Sequence, residues 1–137
     1  MYLIDTVVFS ELFKRRRNPG FLIWLSDKSE ELFFLSTVTI GEIERGIERQ
    51  RRHDRAFAEA LLAWLDLSIE IYADRILPVT TAVARHWGRL SSRVGHDGAD
   101  LMIAATALEH GLTVVTRNVT HFAPTGVRIE NPFTPTH

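Results

Sequence analysis

The sequence predicts an α/β fold, a single domain over residues 1–137 with a central parallel sheet of about four to five strands and helices on both faces. Two observations predict it. Short apolar runs alternate along the chain with segments whose apolar residues recur at helical spacing, which is the order that builds parallel sheets covered on both sides. The 137 residues, 45% hydrophobic, contain no internal repeat, linker or low-complexity tract, so one core of ordinary size accounts for the whole chain.

Tyr2–Asp5 reads as a first strand ending in a charge. Val8, Phe9, Leu12 and Phe13 then recur at helical spacing and stop in the basic run Lys14–Arg17. Asn18-Pro19 opens a second helix with Phe21, Leu22 and Leu25 inward. Leu32–Ser36 is a buried strand, and Thr39 to about Gln50 a helix with Ile40, Ile43 and Ile47 on one face. A longer helix follows over roughly Asp54 to Ala73, carrying Phe57, Leu61, Leu62, Trp64 and Leu65. Ile76–Val79 is a third strand, its proline marking the strand end. Thr81 to about Val94 is helical, Gly95–Gly98 a turn, and Ala99–His110 a helix stopped by Gly111. Thr113–Thr116 is the fourth strand and Val127–Ile129 a short last one.

Composition excludes more than it assigns. The chain has no cysteine, which removes disulfides and thiolate metal sites and leaves a reducing cytoplasm as the expected location. No apolar stretch approaches the ~20 residues of a membrane span, and Met1–Asp5 lacks the basic start and apolar run of a signal peptide. Net charge is −1, so charge alone announces no nucleic-acid partner. Fourteen of the basic residues are Arg and only Lys14 and Lys28 are Lys; Arg suits phosphate, and a GC-rich coding sequence gives the same bias.

The predicted layout gathers polar residues at one edge. In open α/β sheets the ligand crevice lies beyond the carboxyl ends of the strands. Asp5 ends the first strand, Glu42 falls in the first turn of the helix after the second, Asp100 opens the helix leading into the fourth, and Asn118 follows the fourth. Each has a plainer role alone. Asp5 is a good helix cap, Thr39 to Glu42 matches a capping box, and Asp97 or Asp100 would cap the Ala99–His110 helix. Together, three carboxylates on one rim repel one another. A hard divalent cation relieves that repulsion, keeps waters, and leaves positions for phosphate oxygens.

These residues resemble a known family. Leu3-Ile4-Asp5-Thr6 before a helix, the segment from Thr39 through Glu42 to Gly46, and above all Asp100-Leu-Met-Ile-Ala-Ala-Thr-Ala-Leu-Glu-His-Gly111 are similar to PIN domains of the VapC type. Val114-Val-Thr-Arg-Asn118, Phe122, Gly126 and Asn131-Pro132 continue the likeness over essentially the whole chain. The resemblance implies a PIN-like fold and an endoribonuclease acting as the toxin of a bacterial type II toxin–antitoxin pair. It implies Mg²⁺ or Mn²⁺ held by Asp5, Glu42 and Asp100, with Asn118 as a fourth catalytic residue. It further implies a structured RNA substrate such as tRNA or rRNA, a homodimer, and a VapB-type antitoxin that occludes the site and is the only route to DNA. The chain departs from the family pattern at Val7, where Asn is frequent, at Asn118, where a fourth acid is frequent, and at His121, where a nearby Asp is frequent. Asp97 is the candidate to compensate.

Beyond the acids, Lys14–Arg17 and Arg49, Arg51, Arg52 and Arg55 are candidate RNA-backbone contacts, and Arg45 and Arg49 share a face with Glu42. Equally, basic residues ending a helix answer its dipole. Trp24, Trp64 and Trp87 could stack bases, but each sits among apolar helical residues, as core or interface residues do. His53, His86, His96 and His110 lack helical ligand spacing, against zinc. A receiver domain, the rival α/β fold with acids at strand ends, needs a lysine after a late strand, and here the lysines are at 14 and 28. A catalytically dead fold serving as an RNA-binding module stays open through Asn118.

Overall fold

A computed structural model describes residues 1–134. Its five strands are β1 (Tyr2–Ile4), β2 (Phe33–Ser36), β3 (Ile76–Leu77), β4 (Thr113–Val115) and β5 (Ile129–Glu130). They form one sheet in the order β3-β2-β1-β4-β5, with every pairing parallel. The helices are α1 (Thr6–Glu11), α2 (Pro19–Ser26), α3 (Thr37–Arg51), α4 (Arg55–Tyr72), α5 (Thr81–Val94), α6 (Ala99–His110) and α7 (Val119–Phe122).

Alternation along the strands divides the interior into two cores. Ile4, Leu35 and Val115 face the side covered by α1 to α4, where Val8, Phe9, Phe21, Ile47 and Leu65 are buried. Leu3 and Val114 face the other side, against Val83 and Leu90 of α5 and Ile103 to Ala105 of α6. Helices on both faces, as expected, leave the sheet no solvated side.

Several boundaries follow from local chemistry. Asn18 caps α2, with Pro19 in its first turn, and Asp54 caps α4. The Thr80 hydroxyl receives Val83 N–H at the start of α5. Gly95 (φ 93°) and Gly111 (φ 66°) end α5 and α6 in the left-handed conformation that costs glycine least. The segment at Thr134 closes over α2: Asn18 donates to Thr134 O at 2.8 Å and accepts from Thr134 N at 2.9 Å. A Cβ on Gly20 would sit 2.7 Å from Thr134 N and 2.9 Å from Pro132 O, so this approach needs glycine.

Three expectations are corrected. Helix α3 begins at Thr37, capped by the Ser36 hydroxyl. Thr39 therefore is not a cap, and Glu42 lies in the second turn, outside any capping box. Leu22, expected inside, is 42% exposed. Neither Asp97 nor Asp100 caps α6; Gly98 occupies that position without a side-chain bond.

Candidate active site

The strand order reverses between β1 and β4, the neighbours in the sheet whose connections run to opposite sides. At such a switch point the loops after the two strands diverge and open a crevice. Asp5 follows β1, with its N–H bonded to Val115 O at 3.1 Å. Thr116, Arg117 and Asn118 follow β4.

Asp5 is 2% exposed. Its carboxylate caps α1 by accepting from Val8 N at 2.9 Å, so the capping role and a place on the rim coexist. Burial pushes its pKa up to about 6; hydrogen bonds from the Thr116 hydroxyl and Val8 N–H oppose this, and the charges of Asp100 and Glu42 add to it. Glu42 and Asp100, 37 and 95 residues from Asp5 in sequence, thus lie near enough for their charges to act on it.

Each of the other acids is held by a protein donor. The Thr6 hydroxyl is hydrogen-bonded to Glu42 Oε1 and lies 3.0 Å from the Thr39 hydroxyl. With one proton to give, it donates to the carboxylate and accepts from Thr39. Glu42 Oε2 is 3.8 Å from Arg45. Asp100 Oδ2 is 3.0 Å from His121 Nδ1. Asn118 begins α7, its N–H bonded to the Thr116 hydroxyl at 2.8 Å, and its side chain makes no capping bond. Asp97 lies in the exposed turn before α6, lining a hollow with Ser91, Gly95 and His96.

Sequence reasoning passed over the residues that grip the acids. In the sequence, Thr6 and Thr116 stand out only as members of motifs, and His121 only where the family pattern has a frequent Asp. The available signal was adjacency: Thr116 directly follows β4, and Thr6 is next to Asp5 at the end of β1.

The remaining candidates sort by their partners. Arg51 bonds Glu48 at 3.1 Å and also Glu59, which engages it on the protein surface. Trp24 donates to Glu130 at 2.7 Å and packs on Tyr2 and Phe33. Trp64 packs on Phe9 and Phe13, and the Trp87 ring nitrogen is buried. These are core contacts, not open stacking faces. No helix among the described residues is long and apolar enough to cross a membrane.

Chemically, the rim offers oxygen donors with surplus negative charge, one of them desolvated. That set fits a hard divalent cation in donor type and charge. Among the described residues no three acidic or histidine side chains already close around one point; the carboxylates are turned to Val8, Thr6 and His121.

A family model described as "PIN domain" matches residues 2–123. The VapC ribonuclease Y4jK of Sinorhizobium fredii is 32% identical, over 98% of this chain and 99% of its own. Toxin FitB of Neisseria gonorrhoeae is also 32% identical, over 97% of this chain and 99% of its own. Among solved structures, that of FitAcB from Neisseria gonorrhoeae has a TM-score of 0.85 at 33% identity, covering 96% of this chain and 98% of that one. The structure of DNA-bound VapBC from Salmonella typhimurium has a TM-score of 0.72 at 26% identity, covering 96% and 97%. Fold, order of motifs and near-complete coverage agree: the chain belongs to the PIN-domain family and, within it, to the VapC toxins.

Proposed function

We propose that this protein is a divalent-metal-dependent endoribonuclease, the toxin of a type II toxin–antitoxin pair. What carries the reading is the buried Asp5 at the switch point of the sheet, with Glu42 and Asp100 near enough for their negative charges to act on it. Similarity to a VapC ribonuclease and to a toxin supports it. Asp5, Glu42 and Asp100 would hold Mg²⁺ or Mn²⁺, with Asn118 beside them as a neutral oxygen donor. Such an ion supplies positive charge that acidifies water and draws in phosphate oxygens.

The chain's own residues prepare that chemistry. Thr116 and Val8 fix the Asp5 carboxylate, Thr6 fixes one oxygen of Glu42, and His121 fixes one oxygen of Asp100, leaving the other available. Fixed carboxylates give up little freedom when they bind. Water, not the ribose 2′-hydroxyl, is the nucleophile in this reading, so products carry 5′-phosphate and 3′-hydroxyl ends and a 2′-deoxy at the scissile nucleotide is tolerated.

An apolar groove of about 270 Å³, lined by Phe13, Phe57 and Leu61, runs up to Thr6 and Glu42. It suits an antitoxin of the VapB type that covers the acids, and the toxin would meet DNA only through that antitoxin. Similar solved structures are of FitAB and VapBC assemblies, some with DNA, which supports a protein partner of that kind. A homodimer in the cytoplasm, acting on structured RNA such as tRNA or rRNA, completes the reading.

The test is cleavage of total RNA by the purified chain with Mg²⁺, Mn²⁺ or EDTA. Metal-dependent cleavage is expected from wild type and none from Asp5→Asn or Asp100→Asn, each folded by circular dichroism. RNA binding without cleavage under any metal would make the protein a binding module instead. Unimpaired bacterial growth during abundant expression of the soluble chain alone would count against the toxin role.

A further inference from the structure

A second pocket, of about 300 Å³, has basic walls and takes one of its residues, Arg117, from the loop after β4. Lys14, Arg16 and Arg17, from the turn between α1 and α2, meet Arg117 there. Arg117 stands between Thr116, which binds Asp5, and Asn118. Its Cα is therefore about 3.8 Å from that of Thr116. The pocket and the carboxylate rim share this stretch of backbone.

The one acid in the wall, Glu11, is already committed. It is 4% exposed, accepts from Asn18 N at 2.8 Å and pairs with Lys14 at 3.0 Å. Burial alone would raise its pKa, but those bonds and the charges of Lys14 and Arg117 outweigh it and hold the carboxyl below the usual glutamate range. Glu11 thus neutralises Lys14 and anchors the turn, leaving three arginines in surplus. Arg17 is braced on Leu12 O at 2.6 Å, and the Arg117 guanidinium lies 4.6 Å over the Phe133 ring. Among the described residues neither Arg16 nor Arg117 forms a salt bridge with a carboxylate. Guanidinium groups held together against their own repulsion, each with donors to spare, are matched by a phosphate.

We infer that this pocket is a phosphate subsite, which holds a backbone phosphate of the RNA strand flanking the bond to be cut. The inference rests on the reading of the acidic rim as a ribonuclease site. It adds where the strand goes: from the acids, past Arg117, into the turn at Arg16 and Arg17. An acidic segment of a protein partner is the competing occupant. RNA is favoured because Arg117 lies on the loop after β4 that also carries Thr116 and Asn118, and because the non-bridging oxygens of successive phosphodiesters, each group a monoanion, can engage several guanidinium forks along one strand.

The experiment measures binding in EDTA, where nothing is cut, of a fluorescein-labelled single-stranded RNA at several salt concentrations. Wild type, Arg16→Gln, Arg117→Gln and the control Arg89→Gln, on the outer surface of α5, are compared. Each pocket variant should bind several-fold more weakly, and its slope of log affinity against log salt should fall by about 0.7; the control should behave as wild type. A second arm uses RNAs with one neutral methylphosphonate at successive positions. Wild type should be weakened at one position, and Arg117→Gln should lose that sensitivity. Unchanged affinity and slope in both pocket variants overturns the proposal, as does an equal loss in Arg89→Gln. So does a variant that keeps RNA binding but loses an acidic protein partner. RNA bound through the pocket but never cleaved with metal leaves the subsite standing and removes the ribonuclease reading. RNA cleaved while both variants bind as wild type does the reverse.

Discussion

His121 Nδ1 sits 3.0 Å from Asp100 Oδ2, linking α7 to the first turn of α6 across the rim. An ionised carboxylate only accepts, so the ring donates from Nδ1 and its tautomer is fixed. Asp100 keeps its other oxygen for a ligand. Outer partners of this kind typically change metal affinity by roughly 10–100-fold when removed. His121→Ala is expected to weaken Mn²⁺ binding, read by calorimetry, about tenfold. His121→Asn, whose amide nitrogen replaces Nδ1, should restore most of it. Equal behaviour of the two variants would show that the contact is incidental.

Asp5 sets a pH dependence whose sign is opposite to that of an ordinary ion-paired aspartate. Its folded pKa, about 6, stands above the ordinary aspartate value of 3.8. The folded state therefore holds the proton more tightly, and stability of the metal-free protein falls as pH rises through that window and levels off above it. The full span is about 3 kcal/mol at 1.36 kcal/mol per unit. Urea unfolding in EDTA should show this decline, and Asp5→Asn should remove its share. With Asp5 holding the ion as proposed, cleavage would need its ionised form, and the rate should rise with pH through about 6. Added Mg²⁺, which favours the charged carboxylate, should move that midpoint lower. A midpoint indifferent to Mg²⁺ would separate Asp5 from the ion.

Thr6 donates to Glu42 and accepts from Thr39, one polar chain from α1 to α3. Thr6→Val keeps the shape and removes the proton. It should leave the fold intact and lower the cleavage rate about tenfold, within the range for lost outer partners. Thr6→Ser should recover it. A Val variant as active as wild type would mean that Glu42 is positioned by Arg45 alone.

The rim was legible in the sequence because strand ends are. Asp5, Asp100 and Asn118 stand next to elements whose limits local chemistry prints clearly; α5 and α6 run Thr81–Val94 and Ala99–His110, bounded by Thr80, Gly95 and Gly111. The start of α3 was not legible, because Ser36 and Thr39 are both good caps, and only tertiary packing, which buries Thr39 completely, decides between them. Helix α2 hid its inner face for another reason. Residues 21–25 are apolar on every side, so periodicity cannot tell Phe21, fully buried, from Ile23, 73% exposed. The partners of the acids were hidden most deeply. A bond from Thr116 to Asp5 spans 111 residues, and no local pattern encodes it.

Asn118 is where this rim departs from four acids. Its N–H is bound to the Thr116 hydroxyl, which in turn reaches Asp5, so its backbone is tied to the centre while its side chain makes no capping bond. An amide oxygen can ligate a cation or orient its water, yet adds no charge. Three carboxylates suffice to anchor one Mg²⁺; a second would be held mainly by the substrate phosphate and so arrive with the RNA. Asn118→Asp supplies the missing charge and should shift the rate-versus-Mg²⁺ curve to lower concentration. The same variant brings another negative charge towards Asp5, so in EDTA the Asp5 midpoint should rise further, a readout that needs no cleavage. Asn118→Ala should slow the reaction less than Asp5→Asn does, because it removes a helper and leaves the anchors. The check is one RNA, titrated with Mg²⁺ against wild type and both variants. A curve unmoved by Asn118→Asp would mean that this side chain does not face the ions, and Asp97, in the turn before α6, would be the next position to change.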